Sequence, residues 1–420
     1  MATLKQVSPM RILVVTQYFW PENFRINDLV AALKERGHFL TVLTGKPNYP
    51  KGYIFQDYLA DPERFSRFNG VEVLRVPICA RGQCTITLVA NYLCFLFSAC
   101  LWGPALLMKR KFDVILVCQL SPVTVAMPAL LLGRIKSAPV VIWVLDLWPD
   151  TLQALGVIRS AAILKPLESL VRFIYRHCTL VLGQSRAFVT RIINHCGQPE
   201  KVRYFPSWTE LVYEGLPSER AAEVPMGGKY FNILFAGNLG ESQDLPSVVE
   251  AAELLRRNSK IRWLIVGDGR KSDWLRQEVT RRGLEKKIIL LGRYPEERMP
   301  SFYAHADALL ICLKRNPVFG MTIPGKLQSY LMVGIPILGM IDGEGADIIK
   351  RSQGGLCCES GNPEELARIV RVLIAMSKEK RAKMGMAGKL YAKKEYDRSK
   401  AIRRLEKIFS ESIHIFNQTA

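Results

Sequence analysis

Short, mainly apolar runs recur along the whole chain, each closed by a glycine or polar turn and followed by a stretch long enough for a helix. In the first half they fall at residues 12–16, 39–44, 71–77, 114–118, 140–145, 179–183 and 201–205. Continuous apolar runs of this length suit strands buried on both faces, and the stretches between them supply the helical crossovers of a parallel sheet. The first such stretch carries Ile26, Leu29, Val30 and Leu33 at helical spacing and stops at Gly37. The pattern then starts afresh, with runs at 231–237, 261–267, 287–292, 308–313, 335–340 and 355–358. Helices are expected to begin near Lys271, Glu297, Lys326, Ala346 and Pro363. The expected architecture is α/β: two Rossmann-like, doubly wound parallel-sheet domains facing each other across a cleft. Their expected limits are residues 1–206 and 230–395, joined by a polar linker at 207–229 that holds Pro217, Pro225, Gly227 and Gly228. A final helix is expected within residues 396–420. Ligands should sit at the carboxyl ends of the strands.

A chain of 420 residues with 49% hydrophobic content can bury two cores. Its formal charge of +20 calls for a polyanionic partner: nucleic acid, an anionic membrane surface, or phosphorylated substrates. The excess is densest in residues 378–407, where a solvated helical face is the favoured reading for most of these residues individually. The 10 cysteines include no C-x-x-C pair and no cluster at zinc spacing, so no metal site is expected. Several lie in apolar runs, where cysteine acts as a small hydrophobe, and the usage suits a reducing cytoplasm. Residues 1–10 lack the apolar core of a signal peptide.

Residues 85–108 contain no charge and are followed by Lys109, Arg110 and Lys111. The length is enough to span a bilayer. Strand-like runs on either side look like members of one sheet, and a spanning helix would split that sheet across the membrane. The expectation is a helix on or dipping into the cytoplasmic leaflet, with residues 85–111 meeting an anionic membrane surface. A wholly buried core helix is the alternative. Serine at Leu93, Phe95 and Phe97 would release the protein from membranes in the first case and unfold it in the second.

Three turns of the second half should converge on one sheet edge. Gly237, Asn238 and Gly240 follow its first strand, where backbone N–H groups can approach a diphosphate. Gly267, Asp268 and Gly269 follow the next and could admit a base or ribose. Pro324, Gly325 and Lys326 deliver a cation to the first turn of an apolar helix, whose free N–H groups favour a phosphate. Each could instead be a tight turn with no ligand; the convergence of three favours a site. In the first half, Asp146 and Asp150 flank Trp148 and Pro149 at a strand end. Such carboxylates suit a general base or an acceptor for sugar hydroxyls, although Asp150 could simply cap the next helix. The loop holding Trp20, Glu22, Asn23 and Arg25 offers aromatic faces for sugar rings and a guanidinium for phosphate, or else packs as an aromatic cluster.

These segments together resemble the retaining glycosyltransferases of family 4, which have the GT-B fold, and among them bacterial transferases of O-antigen and capsule assembly such as N-acetyl-L-fucosamine transferases. The resemblance runs from Gln17–Glu22 through Asp146–Asp150, residues 205–208, 235–240, 266–269, Leu291–Arg293, Ala306–Asp307 and 324–326 to Gly334–Pro336. It implies a nucleotide-sugar donor held by the second domain, with Arg270 or Arg293 a further diphosphate contact beside Lys326. It also implies a saccharide acceptor held by the first domain near Trp20, Glu22, Asn23, Arg25 and Trp148, no catalytic metal, and a last helix that crosses back to the first domain. The family's paired glutamates would fall at Met321 and Ser329, and neither is acidic. The implied function is transfer of a hexosamine-type sugar from a UDP-sugar to a lipid-linked saccharide at the inner face of a bacterial membrane, with no nucleic acid involved. Rivals are a UDP-sugar 2-epimerase of the same fold and a non-catalytic nucleotide-sugar sensor. A dinucleotide oxidoreductase is disfavoured, because Gln17-Tyr-Phe-Trp follows the first strand in place of G-x-G-x-x-G.

Overall fold

The computed structural model describes residues 8–419 except Gln83, Leu155, Arg159, 214–218 and 226–229. The chain packs into two compact units, Met1–Pro206 with Ser399–Ala420, and Ser207–Arg398.

In the first unit, β1 (Arg11–Val15), β2 (Phe39–Gly45), β3 (Arg67–Phe68), β4 (Val71–Val76), β5 (Val114–Gln119), β6 (Val140–Val144), β7 (Leu180–Gly183) and β8 (Val202–Tyr204) form one sheet. Its order is β3-β4-β2-β1-β5-β6-β7-β8, parallel except where β3 turns back on β4. The central strands β5 and β6 are buried at every position, which is why they read as unbroken apolar runs. The last helix, Arg398–Thr419, belongs to this unit. Leu405 and Phe409 are fully buried on it, and Glu406 receives Arg36 at 2.5 Å and His38 at 2.9 Å.

The apolar helix Thr85–Leu106 lies between β4 and β5 in the chain, and both strands sit in the same sheet. It is the one described helix long and apolar enough to cross a membrane by length and composition. It is not a wholly buried core helix. Asn91, Tyr92, Phe95, Ala99 and Gly103 face inward at helical spacing, while Ile86, Val89, Leu93, Phe97, Leu101 and Trp102 are exposed on the other side. Gly103 permits the close approach, since a side chain there would meet Leu43 at 3.3 Å. Phe95 therefore belongs to the core, and it does not share a face with Leu93 and Phe97.

The second unit holds β9 (Phe231–Ala236), β10 (Ile261–Val266), β11 (Ile288–Gly292), β12 (Ala308–Cys312), β13 (Ile337–Met340) and β14 (Gly355–Cys358), in the order β11-β10-β9-β12-β13-β14. Apolar layers cover both of its faces. Much of the expected linker is packed into this unit: Trp208 and Val224 are fully buried, and the Thr209 N–H donates to Tyr396 O at 3.0 Å. The chain there is tied down because it supplies apolar side chains to one of the two layers. Pro217, Gly227 and Gly228 lie outside the described residues.

Candidate active site

In the second unit the chain leaves β9 for β10 on one side and β12 on the other, which makes the β9/β12 gap the switch point of the sheet. These two strands pair only at Ala308–Ile233 and Leu309–Leu234 and then part. The Tyr330 hydroxyl fills the gap, accepting from the Ala236 N–H at 2.8 Å and donating to its carbonyl at 3.2 Å. One helical turn earlier, at i−4 on the helix Gly325–Val333, stands Lys326. Its Nζ lies 3.7 Å from the centre of the Phe235 ring and donates to Gln243 Oε1 at 3.1 Å. Among the described residues no carboxylate pairs with it. Burial lowers its pKa to about 8, with the Cys312 thiol a small opposing influence.

The glycine turns are laced together around this ammonium. The Gly237 N–H donates to Val266 O, the Gly267 N–H to Gly292 O and the Leu239 N–H to Asp268 O. A Cβ on Gly267 would stand 1.9 Å from Gly237 O, and one on Gly237 would stand 3.0 Å from Lys326 Nζ. Both have φ near +140°, which side chains rarely adopt, so sterics and backbone together demand glycine. Gly240 is buried within the same turn, Asn238 is exposed beside it, and Gly325 opens on free space at the helix start while Pro324 is buried. Asp268 is engaged locally: its carboxylate accepts from Ser272 Oγ at 2.6 Å and the Gly269 N–H at 2.8 Å, and these bonds hold it below the usual carboxylate range. Arg293 is exposed, and its charge adds to that lowering of Asp268.

In the first unit the carboxyl ends of β1, β5 and β6 carry side chains in place of glycine turns. Asp146 follows β6, and its backbone carbonyl accepts from Gln119 Nε2 at 2.7 Å. Trp148 Nε1 donates to Asp146 Oδ2 at 3.2 Å and also reaches Ser121 Oγ, which in turn contacts the Tyr92 hydroxyl at 3.3 Å. Burial raises the Asp146 pKa to about 6 against the pull of hydrogen bonds from Thr151, Trp148 and Ser121. Trp148 is itself buried, edge-on to Tyr92, so it orients Asp146 through its N–H and offers no open ring face. Asp150 takes Arg191 at 2.5 Å and His195 at 3.3 Å. Burial would raise its pKa, but these partners outweigh that and hold it below the usual range. Asp150 thus anchors the helix Arg186–Cys196.

Glu22 is also committed. Its buried carboxylate accepts backbone N–H groups of Phe19, Asn48 and Tyr49, which knits the β1 and β2 loops together, and burial lifts it to about 7 despite those bonds. Trp20 packs against Phe65 and Phe68, Asn23 is exposed and Arg25 half-buried. A group the sequence did not single out is Arg81. Its guanidinium lies 5.1 Å from the Tyr49 ring and donates to the Tyr18 hydroxyl at 2.7 Å, placing a cation among the Tyr18, Phe24 and Tyr49 rings.

Residues 23–208 match the family model described as a glycosyl transferase 4-like domain, and residues 219–391 match that of glycosyl transferases group 1. The fold is that of Anabaena HepE, solved in complex with UDP and glucose, at a TM-score of 0.69 over 96% of this chain and 100% of that one, with 16% identity. The chain is a glycosyltransferase of the GT-B fold. In sequence the transferase is 26% identical to the putative colanic acid biosynthesis glycosyl transferase WcaI of Escherichia coli, covering 77% of this chain and 82% of that protein. It is 27% identical to the probable glycosyltransferase WbjE of Pseudomonas aeruginosa over 66% of the chain and 68% of that protein. One further group stands out in this transferase. Ser329, where the resemblance implies an acid, donates its hydroxyl to Glu210 Oε2 at 2.8 Å, so a carboxylate reaches that helical turn from elsewhere in the chain.

Proposed function

We propose that this glycosyltransferase moves a hexosamine-type sugar, N-acetyl-L-fucosamine being one candidate, from a UDP-sugar to a lipid-linked saccharide in the assembly of a bacterial surface polysaccharide. The observation that carries the reading is the Lys326 ammonium, desolvated, unpaired with any carboxylate among the described residues, and set among glycine turns at the switch point. A departing diphosphate supplies the negative charge this arrangement lacks. Electrostatic stabilisation of developing charge by a preorganised group is usually the largest single contribution to such a rate. Support for UDP comes from HepE, which was crystallised with it, and for the pathway class from WcaI, whose name refers to colanic acid.

On this reading Gly237, Asn238 and Gly240 lie along the diphosphate with Lys326, and Arg293 adds charge. The turn at Gly267–Gly269 admits the nucleoside, and Glu210 takes over the ribose contact that position 329 no longer offers. Sugar transfer passes through an oxocarbenium-like centre, so positioning and leaving-group stabilisation dominate. With retention of configuration the leaving diphosphate accepts the acceptor proton, and Asp146 orients the incoming hydroxyl. Tyr49 supplies a ring face and Arg81 a cation for the acceptor, near Asn23 and Arg25.

The exposed stripe of the apolar helix favours work at a membrane, and the proposed location is the cytoplasmic face. That stripe has no use in a 2-epimerase acting on soluble UDP-sugars. The test is to incubate purified protein with a panel of UDP-sugars and lipid-linked acceptors. Acceptor-dependent UDP release supports transfer. Sugar interconversion without acceptor would establish the epimerase, and tight UDP binding without turnover the sensor.

A further inference from the structure

At the opposite edge of the first unit's sheet, where β1, β5 and β6 begin, lies a recess of about 530 Å³. Arg11 opens β1, Asp113 precedes β5 and Pro139 precedes β6, so this recess is at the amino ends of the strands and Asp146 at the carboxyl end. Four cations line it: Arg11, Arg110, Lys111 and Lys136. Two of them are balanced, Arg11 by Asp113 at 2.5 Å and Arg110 by Glu72. The other two are not. Lys111 has no ion-pair partner among the described residues, and Lys136 Nζ donates only to the carbonyls of Leu107 and Met108, at 2.5 and 3.0 Å. Those carbonyls end the apolar helix, and their partial negative charge would repel an anion if Lys136 did not cover it.

The rest of the lining is mixed: Ser137 and Asn417 are polar, and Met108, Phe112, Ile135 and Pro139 are apolar. Met108 and Ile135 line the recess and are 70% and 51% exposed, and Leu106 and Leu131 beside them in the chain are exposed as well. Ile413 and Phe416 of the last helix complete the lining. A surplus of positive charge inside a recess whose rim runs into an apolar face matches a molecule with an anionic head and hydrocarbon tails.

We propose that this recess binds the phosphate-bearing headgroup of an anionic glycerophospholipid, with the acyl chains leaving over Met108, Ile135 and the apolar helix. The proposal rests on the membrane reading given above and adds to it a defined site and a lipid class. The apolar stripe then provides contact with any bilayer, and the recess selects among bilayers. Lipid held here would steady the foot of the apolar helix.

The experiment is co-flotation of the full chain with vesicles of phosphatidylcholine alone and of phosphatidylcholine with phosphatidylglycerol. The parent is expected to bind both, and the second more tightly. Lys111→Glu is expected to lose roughly tenfold or more in affinity for phosphatidylglycerol vesicles, since each basic residue at such a surface is worth about a fivefold effect and the change reverses a charge. Its binding to neutral vesicles should stay as it was. Lys378→Glu, at an exposed position in the second unit, should change neither by more than about twofold. Lys111 is exposed, so folding is expected to survive, and Lys111→Gln repeats the test if the reversal lowers the melting temperature. Equal losses for Lys111→Glu and Lys378→Glu would mean diffuse charge attraction and overturn the site. So would binding to neutral vesicles with no gain from phosphatidylglycerol, which leaves the membrane reading standing. A parent that floats with neither vesicle overturns both. Stabilisation by soluble glycerol phosphate that depends on Lys111, without any preference for anionic vesicles, would assign the recess to a free phosphate ester and overturn the lipid.

Discussion

The carboxyl edges of the two sheets are built by opposite means. In the second unit the edge is made of backbone: Gly237, Gly267 and Gly269 sit where a side chain would strike a neighbouring carbonyl or Lys326, and one desolvated cation supplies the charge. In the first unit it is made of side chains: Tyr18, Tyr49 and Arg81 contact one another, and Trp148 bonds to both Asp146 and Ser121. A backbone cradle suits a group common to every donor, the diphosphate, whereas side chains can be exchanged singly. If the two edges hold acceptor and donor as proposed, acceptor choice is open to change and diphosphate binding is not.

Five measurements break or sharpen this contrast. The largest effect is expected from Lys326→Ala, which should cut turnover by about 10²–10³ with the fold intact. An activity within twofold of the parent would show that the backbone cradle suffices without its cation. Asp146→Asn comes next, with about a 10²-fold loss in kcat. Its stability should move the other way. The Asp146 pKa is raised in the fold, so the stability this group contributes is full below its unfolded pKa and is lost as pH rises through about 6. Removing the charge should therefore raise the melting temperature at pH 8 and not at pH 4. Asp150→Asn should do the reverse, costing stability at neutral pH and comparatively little kcat, because its depressed pKa reports partners gained on folding. Swapped phenotypes would exchange the roles of the two carboxylates.

Gly267→Ala probes the cradle itself. With 1.9 Å to Gly237 O, the methyl group must displace backbone, and a loss of about 1–3 kcal/mol in stability together with weaker UDP binding is expected. An alanine variant that binds UDP normally would mean that the two turns are free to separate. The smallest effect concerns pH. A diphosphate should raise the Lys326 pKa from about 8, so UDP binding takes up a proton above that pH and weakens as pH climbs. Titration calorimetry in buffers of different ionisation enthalpy reads this directly. Lys326→Arg, which stays charged, should remove the dependence.

What the sequence disclosed follows the same division. The strands and glycine turns were legible because backbone requirements leave local signatures: apolar runs of strand length, and glycine where φ is positive. The Lys326 helix was legible for the same reason. Side-chain partnerships were not. Trp148 reads as a platform for sugars, yet its ring is buried and its N–H serves Asp146. Arg81 lies in an irregular loop with no periodicity to mark it, and Glu210 meets Ser329 across 119 residues of chain. In the sequence Phe95 reads as a neighbour of Leu93 and Phe97, because a helix apolar on every side offers no contrast from which to judge its orientation. Only the packed fold shows that residues 91, 95 and 99 turn inward.

The two sides of that helix have a further consequence. Tyr92 on its inner side touches Ser121, which shares the Trp148 N–H with Asp146, while Leu93 and Phe97 on its outer side meet solvent or lipid. A helix with its side chains is about 10–12 Å across. If the outer stripe rests in the bilayer, the helix acts as a gauge block. If, as proposed, a lipid-linked acceptor reacts beside Asp146, its hydroxyl must then stand about that far above the hydrocarbon, a height that selects acceptors by the length of what joins their sugar to the lipid.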